Sequence, residues 1–539
     1  MNRVETFAAI GKRLANSRYT ILVVIAAAAV LYTWRLGEAP AAVSNDEAHF
    51  AFHGYALATT GRDLNGVRLP LFVEMIDPLL PDVPGTAYWQ PFLFYLTAAS
   101  LKVFPFDEWS IRVPVVLVAL SSVALLYAVV FETYRTRWLA TVAALLLAMT
   151  PSWFVMGRQG IDYICPAPFV LAWLWCLTRF LHTRQILVLA CAGVLLAATA
   201  LTHISGWALV PVLTAVTLGT LAYRRLLQPR AAVAFACGLA VPAMAVFLWL
   251  LFHPGVMREL VARYGLVEDA RWSSEAARSA LSPTQRLSLY WDYFNPSFLF
   301  FAGGSHPTQT TSTAGVFLLP FAVLLPAGLR ACYVRPRPVM PAVICGFVTA
   351  PLAVVLVLGA LSDYSIGRVI TLVPFGVLIA AHGIYWLCEN RRRGTITLSL
   401  LAIVLPLQFA SFLHDYFGEY QVRAAARFDA LNTKAVADFV MTRAEQASVP
   451  LVYLSDDDRD SKAVRWRFHL WKAGREELWA KTRYFGVAPA TDDVPAGSLL
   501  VFFHQDARAA SLLDTGRYSA VGEFSHPSGD PASIVLLRH

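Results

Sequence analysis

The chain is long, apolar and poor in charge: 539 residues, 57% hydrophobic and 15% charged, with a mean hydropathy of +0.54. A soluble domain carries about 25% charged residues, so the composition excludes a mainly water-soluble protein. The formal net charge is +8, but the lysines and arginines lie in short clusters between apolar runs. That pattern indicates membrane topology, and we expect membrane lipids, and no nucleic acid, as partners.

The seven cysteines all lie in or beside apolar runs, and no CxxC spacing occurs. The sequence therefore predicts neither a disulfide framework nor a zinc knuckle. At the N-terminus, Lys12, Arg13 and Arg18 precede the apolar run 19–34, and no small-residue cleavage site follows. We interpret this run as an uncleaved first span.

Apolar runs long enough to cross a bilayer, roughly 17–25 residues, recur along the first 415 residues. The segment 87–106 is ambiguous, because it contains Gln90, Pro91 and Lys102. It is either a further span or a helix at the membrane surface. The other runs begin near residues 19, 112, 138, 163, 186, 207, 230, 313, 340, 368 and 395.

Positive charges decide between these alternatives, because cytoplasmic loops carry an excess of Lys and Arg. With eleven spans and the N-terminus inside, every arginine cluster is cytoplasmic, whereas twelve spans would turn every cluster outward. We therefore predict a mostly α-helical, polytopic membrane bundle of about eleven transmembrane helices plus juxtamembrane helices. The clusters are Arg135/Arg137, Arg179/Arg184, Arg224/Arg225/Arg230, Arg330/Arg335/Arg337 and Arg391/Arg392/Arg393.

This topology divides the chain into a transmembrane domain, residues 1–414, and an extracytoplasmic domain, residues 415–539. The transmembrane domain carries a first outer loop, 36–111, and a second large outer loop, 253–311. In the tail, residues 434–447 have helical spacing, and short apolar runs predict strands. About 120 residues suffice for a small α/β domain. The predicted strands are 450–455, 498–504 and 534–537.

The acidic doublet Asp46-Glu47 follows the first span on the outer face. A carboxylate there is a candidate catalytic base. The alternative is a helix start, in which Ser44, Asn45 or Asp46 caps the following helix and acidic residues favour its N-terminus. Both interpretations can hold together.

His49 and His53 are one helical turn apart, a spacing that suits a metal site with the doublet nearby. Phe50, Phe52 and Tyr55 surround them. These aromatic residues favour the alternative of a helix at the membrane interface.

Other polar residues on the same face each have a structural alternative. Gln90 is either a substrate contact or part of an interface anchor. Arg112, at the start of the second span, either reaches the headgroups or grips a phosphate. Arg158 and Asp162, four residues apart, are either an ion pair or part of a site.

Three further features face outward. His203 and His253 follow the fifth and seventh spans, and each is either an interfacial residue or a ligand. The glycine pair 303–304 lies beside aromatic residues that would line a lipid or sugar groove or pack on the bilayer surface. Arg368, with Tyr364 shortly before it, opens the tenth span.

The ordered series of these motifs resembles the integral-membrane glycosyltransferases of the GT-C fold. Within them it is similar to the bacterial branch that depends on phospholipid carriers, which includes lipid A aminoarabinose transferases and relatives of the protein O-mannosyltransferases. The resemblance covers most of residues 1–415 in order and spacing, and hardly any of the tail. Its motifs are Asp46-Glu47, Gln90-Pro91, Ile111-Arg112-Val113-Pro114, Arg158 with Asp162, Phe300 with Thr308, and Arg368 with Pro374.

The resemblance implies a hexosyl- or pentosyltransferase whose donor is a sugar joined through phosphate to a polyprenol in the outer leaflet. The acceptor would be a hydroxyl of a lipid, glycan or protein. Asp46 would take its proton as the oxygen attacks the anomeric carbon, in a single displacement that inverts the configuration. The leaving polyprenyl phosphate needs charge stabilisation from arginine or from a divalent metal ion.

The resemblance also assigns roles to individual residues. The expected catalytic residues are Asp46, Glu47 and Asp162, and the expected metal ligands are His253 and Glu47. One departure is that Trp89-Gln90 stands where aminoarabinose transferases carry an acidic and then a basic residue. This argues against that sugar and against a metal ion. The expected substrate-binding residues are Gln90, Arg112, Arg158, His203, Tyr364 and Arg368.

By the same resemblance the protein is a multi-pass protein of the bacterial cytoplasmic (inner) membrane, with its active site and tail on the periplasmic side. The alternative is a transporter or flippase for a lipid-linked or small polar substrate, since many spans and intramembrane arginines also suit a carrier. Against it, the sequence has no evident pair of broken helices in corresponding halves. A non-catalytic scaffold, in which Asp46 would be dispensable, is a third interpretation.

Overall fold

The computed structural model describes residues 17, 19–75, 88–263, 282–355, 366–389, 391–455, 459–486 and 493–539. The chain is mainly helical up to Phe417, and the tail adds a β-sheet with helices of its own. The predicted class, a mostly α-helical bundle with a small C-terminal α/β region, is therefore confirmed.

Proline occupies the first turn of several helices in the first half of the chain, where its missing N–H costs no hydrogen bond. A two-stranded ribbon, β1 (Val73–Glu74) with β2 (Tyr88–Trp89), lies between the second and third helices. These helices are α1 (Thr20–Thr33), α2 (Asn45–Thr60), α3 (Pro91–Leu101), α4 (Glu108–Tyr134), α5 (Arg137–Ala148), α6 (Pro151–Met156), α7 (Pro166–Thr183), α8 (Ile186–Ala198), α9 (Ser205–Tyr223) and α10 (Pro229–Phe252).

The second half of the bundle follows the same pattern, with one π-helical turn at Phe298–Ala302 and a 3-10 turn at Gly367–Val369. The span expected from about residue 313 begins instead at Phe321, because residues 303–320 form an irregular polar loop. The helices are α11 (Pro254–Arg263), α12 (Pro283–Asp292), α13 (Phe321–Val334), α14 (Met340–Thr349), α15 (Leu352–Val355), α16 (Leu372–Glu389) and α17 (Arg391–Phe417).

Six helices within the described ranges are long and apolar enough to cross a membrane. They include the whole of α4, α9, α10 and α16, while other apolar helices are shorter. The ambiguous segment 87–106 forms only the 11-residue α3, which rises about 16 Å. A bilayer core is about 30 Å thick, so the length of α3 favours the surface helix over a span.

Helix α16, which follows Arg368, is held against α13 by glycines. A Cβ on Gly328 would lie 2.0 Å from the carbonyl oxygen of Ile379, and one on Gly383 would lie 2.6 Å from that of Leu324. Such small residues let two helix backbones approach closely. The close packing gives the segment before α16 a rigid support.

The tail begins with α18 (Glu419–Phe428) and α19 (Thr433–Gln446) and then forms, in its described part, a five-stranded sheet in the order β4-β3-β5-β7-β6. β4, β3 and β5 are parallel, and β7 and β6 add antiparallel. The remaining elements are β3 (Val452–Ser455), α20 (Arg459–Lys472), α21 (Glu477–Ala480), β4 (Thr482–Phe485), β5 (Leu499–Phe503), α22 (Ala507–Asp514), β6 (Tyr518–Ser525) and β7 (Pro531–Arg538).

Helix α20 connects the tail to the helical bundle. Its Phe468 packs on Phe106, with 5.1 Å between ring centroids, and shares a buried apolar cluster with Phe52 of α2. The Lys472 ammonium group lies 2.5 Å from the Glu108 carboxylate. The tail therefore contacts the helix that begins with the acidic doublet.

Candidate active site

One open cavity of about 110 Å³ gathers residues from five separate parts of the chain. It contains two carboxylates, one arginine, one histidine and one amide. The predicted first outer loop, 36–111, contributes Asp46, Trp89 and Gln90 to it. Its lining is Asp46, Trp89, Gln90, Asp162, Tyr163, His203, Ile204 and Arg368.

Asp46 reaches this cavity from the first turn of α2. Ser44 is the N-cap: its Oγ accepts a hydrogen bond from the Glu47 N–H at 3.3 Å, and its own N–H donates to Glu47 Oε2 at 2.9 Å. This capping box satisfies the helix start without Asp46. Each interpretation of the doublet therefore applies to one of its two residues. Glu47 belongs to the helix start, and Asp46 lines the cavity.

Glu47 pairs with Arg112, and both side chains are fully buried. The guanidinium Nε lies 2.8 Å from Glu47 Oε1, which also accepts the N–H of Gly160 at 2.8 Å. Burial alone would raise the pKa of Glu47, but Arg112 and the N–H groups of Ser44 and Gly160 lower it below its usual value. The ionised carboxylate thus has its hydrogen bonds filled by protein donors, and the predicted roles of Glu47 in catalysis and metal binding have no support in this geometry.

The hydrogen-bond donors of Arg112 are also occupied by protein acceptors. Besides Glu47, it donates to the carbonyl oxygens of Leu36, Pro40 and Ala42 at 2.9–3.2 Å. With no exposed surface, it cannot meet a phosphate without breaking this network. The predicted contact of Arg112 with the carrier phosphate therefore has no support in this geometry and stays a prediction.

Arg158 occupies a similar position. Its guanidinium donates to four carbonyl oxygens of residues 31–39 and to the hydroxyl of Tyr416, at 2.6–3.4 Å. It also lies over the rings of Phe154 and Phe417. In the described part of the chain it forms no ion pair with Asp162, and it does not line the cavity. Arg158 and Arg112 both donate to the connection between α1 and α2, and the predicted substrate contact of Arg158 has no support in this geometry.

Asp162 and His203 face each other in the cavity, with 4.0 Å between Asp162 Oδ1 and His203 Nε2. His203 Nδ1 accepts the N–H of Ser205 at 3.2 Å, so the proton of the neutral ring is on Nε2, toward Asp162. Burial and then the charge of Arg368 lower the pKa of His203 to about 3. The imidazole is therefore neutral at physiological pH.

Arg368 supplies the positive charge of the cavity. It is half-buried and forms neither a hydrogen bond nor an ion pair with any residue that the structure describes. Its charge acts on both Asp162 and His203. The N–H donors of the Arg368 guanidinium group are thus available to an anion. Tyr364, expected beside it, lies outside the described residues.

Gln90 is the N-cap of α3 and is only 3% exposed. Its Nε2 is buried without a hydrogen-bond partner in the described structure. A buried amide donor without a partner is costly, and a ligand in the cavity would relieve that cost. Trp89 lies beside it, packed on Phe50 with 5.1 Å between ring centroids.

The histidines proposed as metal ligands lie apart from the cavity. The ring of His253 stacks on Trp249 at 3.9 Å, and its Nδ1 is 2.9 Å from the Trp249 carbonyl oxygen. His53 is fully buried, and burial lowers its pKa to about 3. Within the described ranges, no group of three or more His, Cys, Asp or Glu side chains could hold a metal ion. The divalent ion stays a prediction without a site.

Sequence reasoning missed Tyr163 and Ile204 as lining residues, although each is adjacent to a residue that it found. It also missed Gln309, a buried loop residue whose side chain contacts the segment of Arg368. A glutamine between two threonines carries no periodic signal, so the sequence offered no means of finding it.

Comparison with known proteins locates similar chains. Residues 82–250 match the family described as dolichyl-phosphate-mannose-protein mannosyltransferase. No curated protein is similar in sequence. This range contains Gln90, Asp162 and His203, and it excludes Asp46 and Arg368.

Solved structures are similar over nearly the whole chain. ArnT from Cupriavidus metallidurans bound to undecaprenyl phosphate is 14% identical, with a TM-score of 0.57, and the likeness covers 96% of this chain and 98% of ArnT. Its apo state is 15% identical, also at 0.57, covering 96% and 97%. The oligosaccharyltransferase of Archaeoglobus fulgidus in complex with Zn and sulfate is 12% identical, at 0.48, covering 95% and 72%. The two ArnT structures show that the chain has the GT-C fold, as the resemblance of its motifs predicted.

Proposed function

We propose that the protein transfers a sugar from a polyprenyl-phosphate carrier to an acceptor hydroxyl at the outer face of the cytoplasmic membrane. The observation that carries this proposal is the meeting of Asp46, Asp162 and Arg368 in one open cavity. A carboxylate suits proton removal, and an arginine without a partner among the described residues suits a phosphate. The similarity to a dolichyl-phosphate-mannose family and to ArnT bound to undecaprenyl phosphate supports the same donor class.

The chemistry is a single displacement. Asp46 accepts the proton of the acceptor hydroxyl while that oxygen forms a bond to the anomeric carbon. The bond from the anomeric carbon to the phosphate oxygen breaks at the same time, and polyprenyl phosphate leaves with the electron pair. Attack from the face opposite the leaving group inverts the configuration.

Arg368 stabilises the negative charge that develops on the leaving phosphate. The neutral His203 lies 4.0 Å from Asp162, and we assign these two side chains to the acceptor. Gln90 donates from the cavity wall to a sugar or phosphate oxygen. Glu47 is held by Arg112 and by the N–H of Gly160, and the steps above are assigned to Asp46, Arg368, His203 and Gln90.

The test compares wild type with Asp46→Asn, using purified protein, polyprenyl-phosphate sugars and membrane acceptors. We expect Asp46→Asn to lose transfer by a factor of about 10² or more. Asp63→Asn is the matched control, because Asp63 is a buried carboxylate of the same outer loop that accepts the Val67 N–H at 2.8 Å and does not line the cavity.

Equal transfer by wild type and Asp46→Asn would remove Asp46 as the base. If wild type neither transferred nor hydrolysed any donor, the carrier interpretation would replace the enzyme. If cells that carry Asp46→Asn kept a normal cell envelope, the interpretation of the protein as a non-catalytic scaffold would be favoured.

A further inference from the structure

The loop before α13 is built differently from the exposed connections elsewhere in the bundle. Residues 303–316 contain no regular helix, yet Gln309, Thr310 and Thr311 are buried, with Gln309 only 6% exposed. Polar side chains are buried where they have hydrogen-bond partners. The hydrogen-bond partner of Gln309 shows which segment of the chain this loop contacts.

Gln309 Oε1 accepts the backbone N–H of Gly367 at 2.7 Å. Gly367 opens the 3-10 turn Gly367–Val369, so its N–H has no partner within that turn. Gln309 therefore caps the turn from a segment 58 residues away. The residue immediately after Gly367 is Arg368, the cation of the cavity.

Gly367 is confined from both sides. A Cβ at this position would lie 2.7 Å from Gln309 Oε1 and 3.1 Å from the ring of Tyr163. The backbone at Gly367 is thus pressed between the loop and a residue of the cavity wall. Only glycine fits there without displacing one of the two.

The same part of the loop is anchored on its other side. The carbonyl oxygen of Thr308 accepts a hydrogen bond from Gln159 Nε2 at 2.5 Å, and Gln159 lies in the turn that leads to Asp162. Residues 308 and 309 therefore connect the segments that carry a carboxylate and the arginine of the cavity.

We propose that Gln309 is the positioning residue of Arg368: by capping Gly367 it sets where the guanidinium meets the carrier phosphate. Because Arg368 forms no side-chain hydrogen bond within the described structure, only its backbone fixes its place. A displacement of about 1 Å in such a group costs on the order of 10²-fold in rate. This inference rests on the proposed function for the identity of the anion.

The experiment uses three variants of the full chain in detergent. Gln309→Met removes the acceptor oxygen at similar length, and Gln309→Glu retains an oxygen at that place. Gln408→Met is the matched control, since Gln408 Oε1 also accepts a backbone N–H, that of Leu319 at 2.8 Å, but Leu319 lies outside the segment of Arg368. The measurements are the dissociation constant of undecaprenyl phosphate and the exchange rate of the Gly367 amide proton.

We expect Gln309→Met to weaken undecaprenyl phosphate binding about tenfold or more and to accelerate exchange at Gly367, with Gln309→Glu and Gln408→Met close to wild type. In an Arg368→Gln background, Gln309→Met should have no further effect on binding, because the two residues act as a unit. A merely structural residue would give effects that add.

Additive losses, or equal behaviour of Gln309→Met and Gln408→Met, would overturn the positioning role. If wild type itself bound no undecaprenyl phosphate, the proposed function would fail instead. The Gly367 amide would still decide the inference, because unchanged protection in Gln309→Met would remove Gln309 as the cap.

Discussion

At the scale of single residues, the start of α2 shows how one turn of helix serves two purposes. Glu47 is buried against Arg112 and is held by three N–H or guanidinium groups, so its charge stays compensated. Removing one partner of a buried pair costs about 3–5 kcal/mol, which makes Glu47 and Arg112 structural. Asp46, one residue earlier, lines the cavity. The stability of the turn therefore allows Asp46 to be placed for chemistry.

His203 gives a pH dependence whose sign follows from its burial. The unfolded state binds a proton below pH about 6.5, whereas the folded state excludes it until about pH 3. Between these values lowering the pH favours unfolding, by about 1.4 kcal/mol per pH unit for one proton. We expect wild type to lose about 2 kcal/mol more than His203→Gln between pH 6.5 and pH 5, measured by denaturation in detergent. Parallel stability curves for the two proteins would contradict this.

The residues of the cavity were largely predictable, and the roles of the arginines were not. Asp46, Gln90, Asp162, His203 and Arg368 all follow or precede apolar runs on one face, so charge counting alone brings them together. Any arginine at the edge of a span gives the same pattern, whether it is buried or open. What separates the buried arginines from Arg368 is a set of backbone carbonyl groups in residues 31–42, and a backbone carbonyl leaves no mark in the sequence.

At the scale of elements, α20 of the tail supports α2 of the bundle. The guanidinium of Arg467 lies 4.5 Å from the ring centroid of Phe52, and Phe468 is fully buried in the cluster that also contains Ala48 and Ala51. This cluster is separate from the two cores of the sheet. The tail is therefore coupled to the helix that presents Asp46.

Phe468→Ala should loosen that coupling while the sheet stays folded. Removing a buried Phe side chain costs about 3–5 kcal/mol, and here the loss falls on the contact with α2 instead of on the sheet cores. We expect faster hydrogen exchange in α2 and lower transfer activity. Phe439→Ala, which removes a ring packed on Phe524 within the tail, is the matched control. Unchanged exchange in α2 of Phe468→Ala would show that the tail does not support the site.

Helices and strands with long hydrophobic runs were predicted correctly. Segments whose conformation depends on contacts with distant parts of the chain were missed. The helix predicted over 434–447 is observed as Thr433–Gln446, and the three predicted strands are all present. β4 and β6 were not predicted, because β4 has only four residues and the apolar pattern of β6 is interrupted at Gly522, where its pairing with β7 is irregular. The irregular path of residues 303–320 was missed, since its contacts come from distant segments.

At the scale of the whole molecule, the cavity and the arginine clusters lie at opposite ends of the bundle. Helix α4 runs from Glu108, beside the tail, to Tyr134 over 27 residues, which is about 40 Å. At the far end Arg337 lies over the rings of Tyr134 and Tyr385, 5.1 Å from each centroid. This separation exceeds the thickness of about 30 Å of a bilayer core, so the two ends suit opposite sides of a membrane.

The positive-inside bias then assigns the sides. The arginine-rich end should face the cytoplasm, and the cavity with the tail should face outward. We expect alkaline phosphatase fused after residue 415 to be active, because this enzyme folds only outside the cytoplasm, and a fluorescent protein fused there to be dark. Fusions after Arg184, in one of the arginine clusters, should give the reverse pattern. A fluorescent, phosphatase-negative fusion after residue 415 would place the cavity inside, where a carrier lipid of the outer leaflet could not reach Arg368.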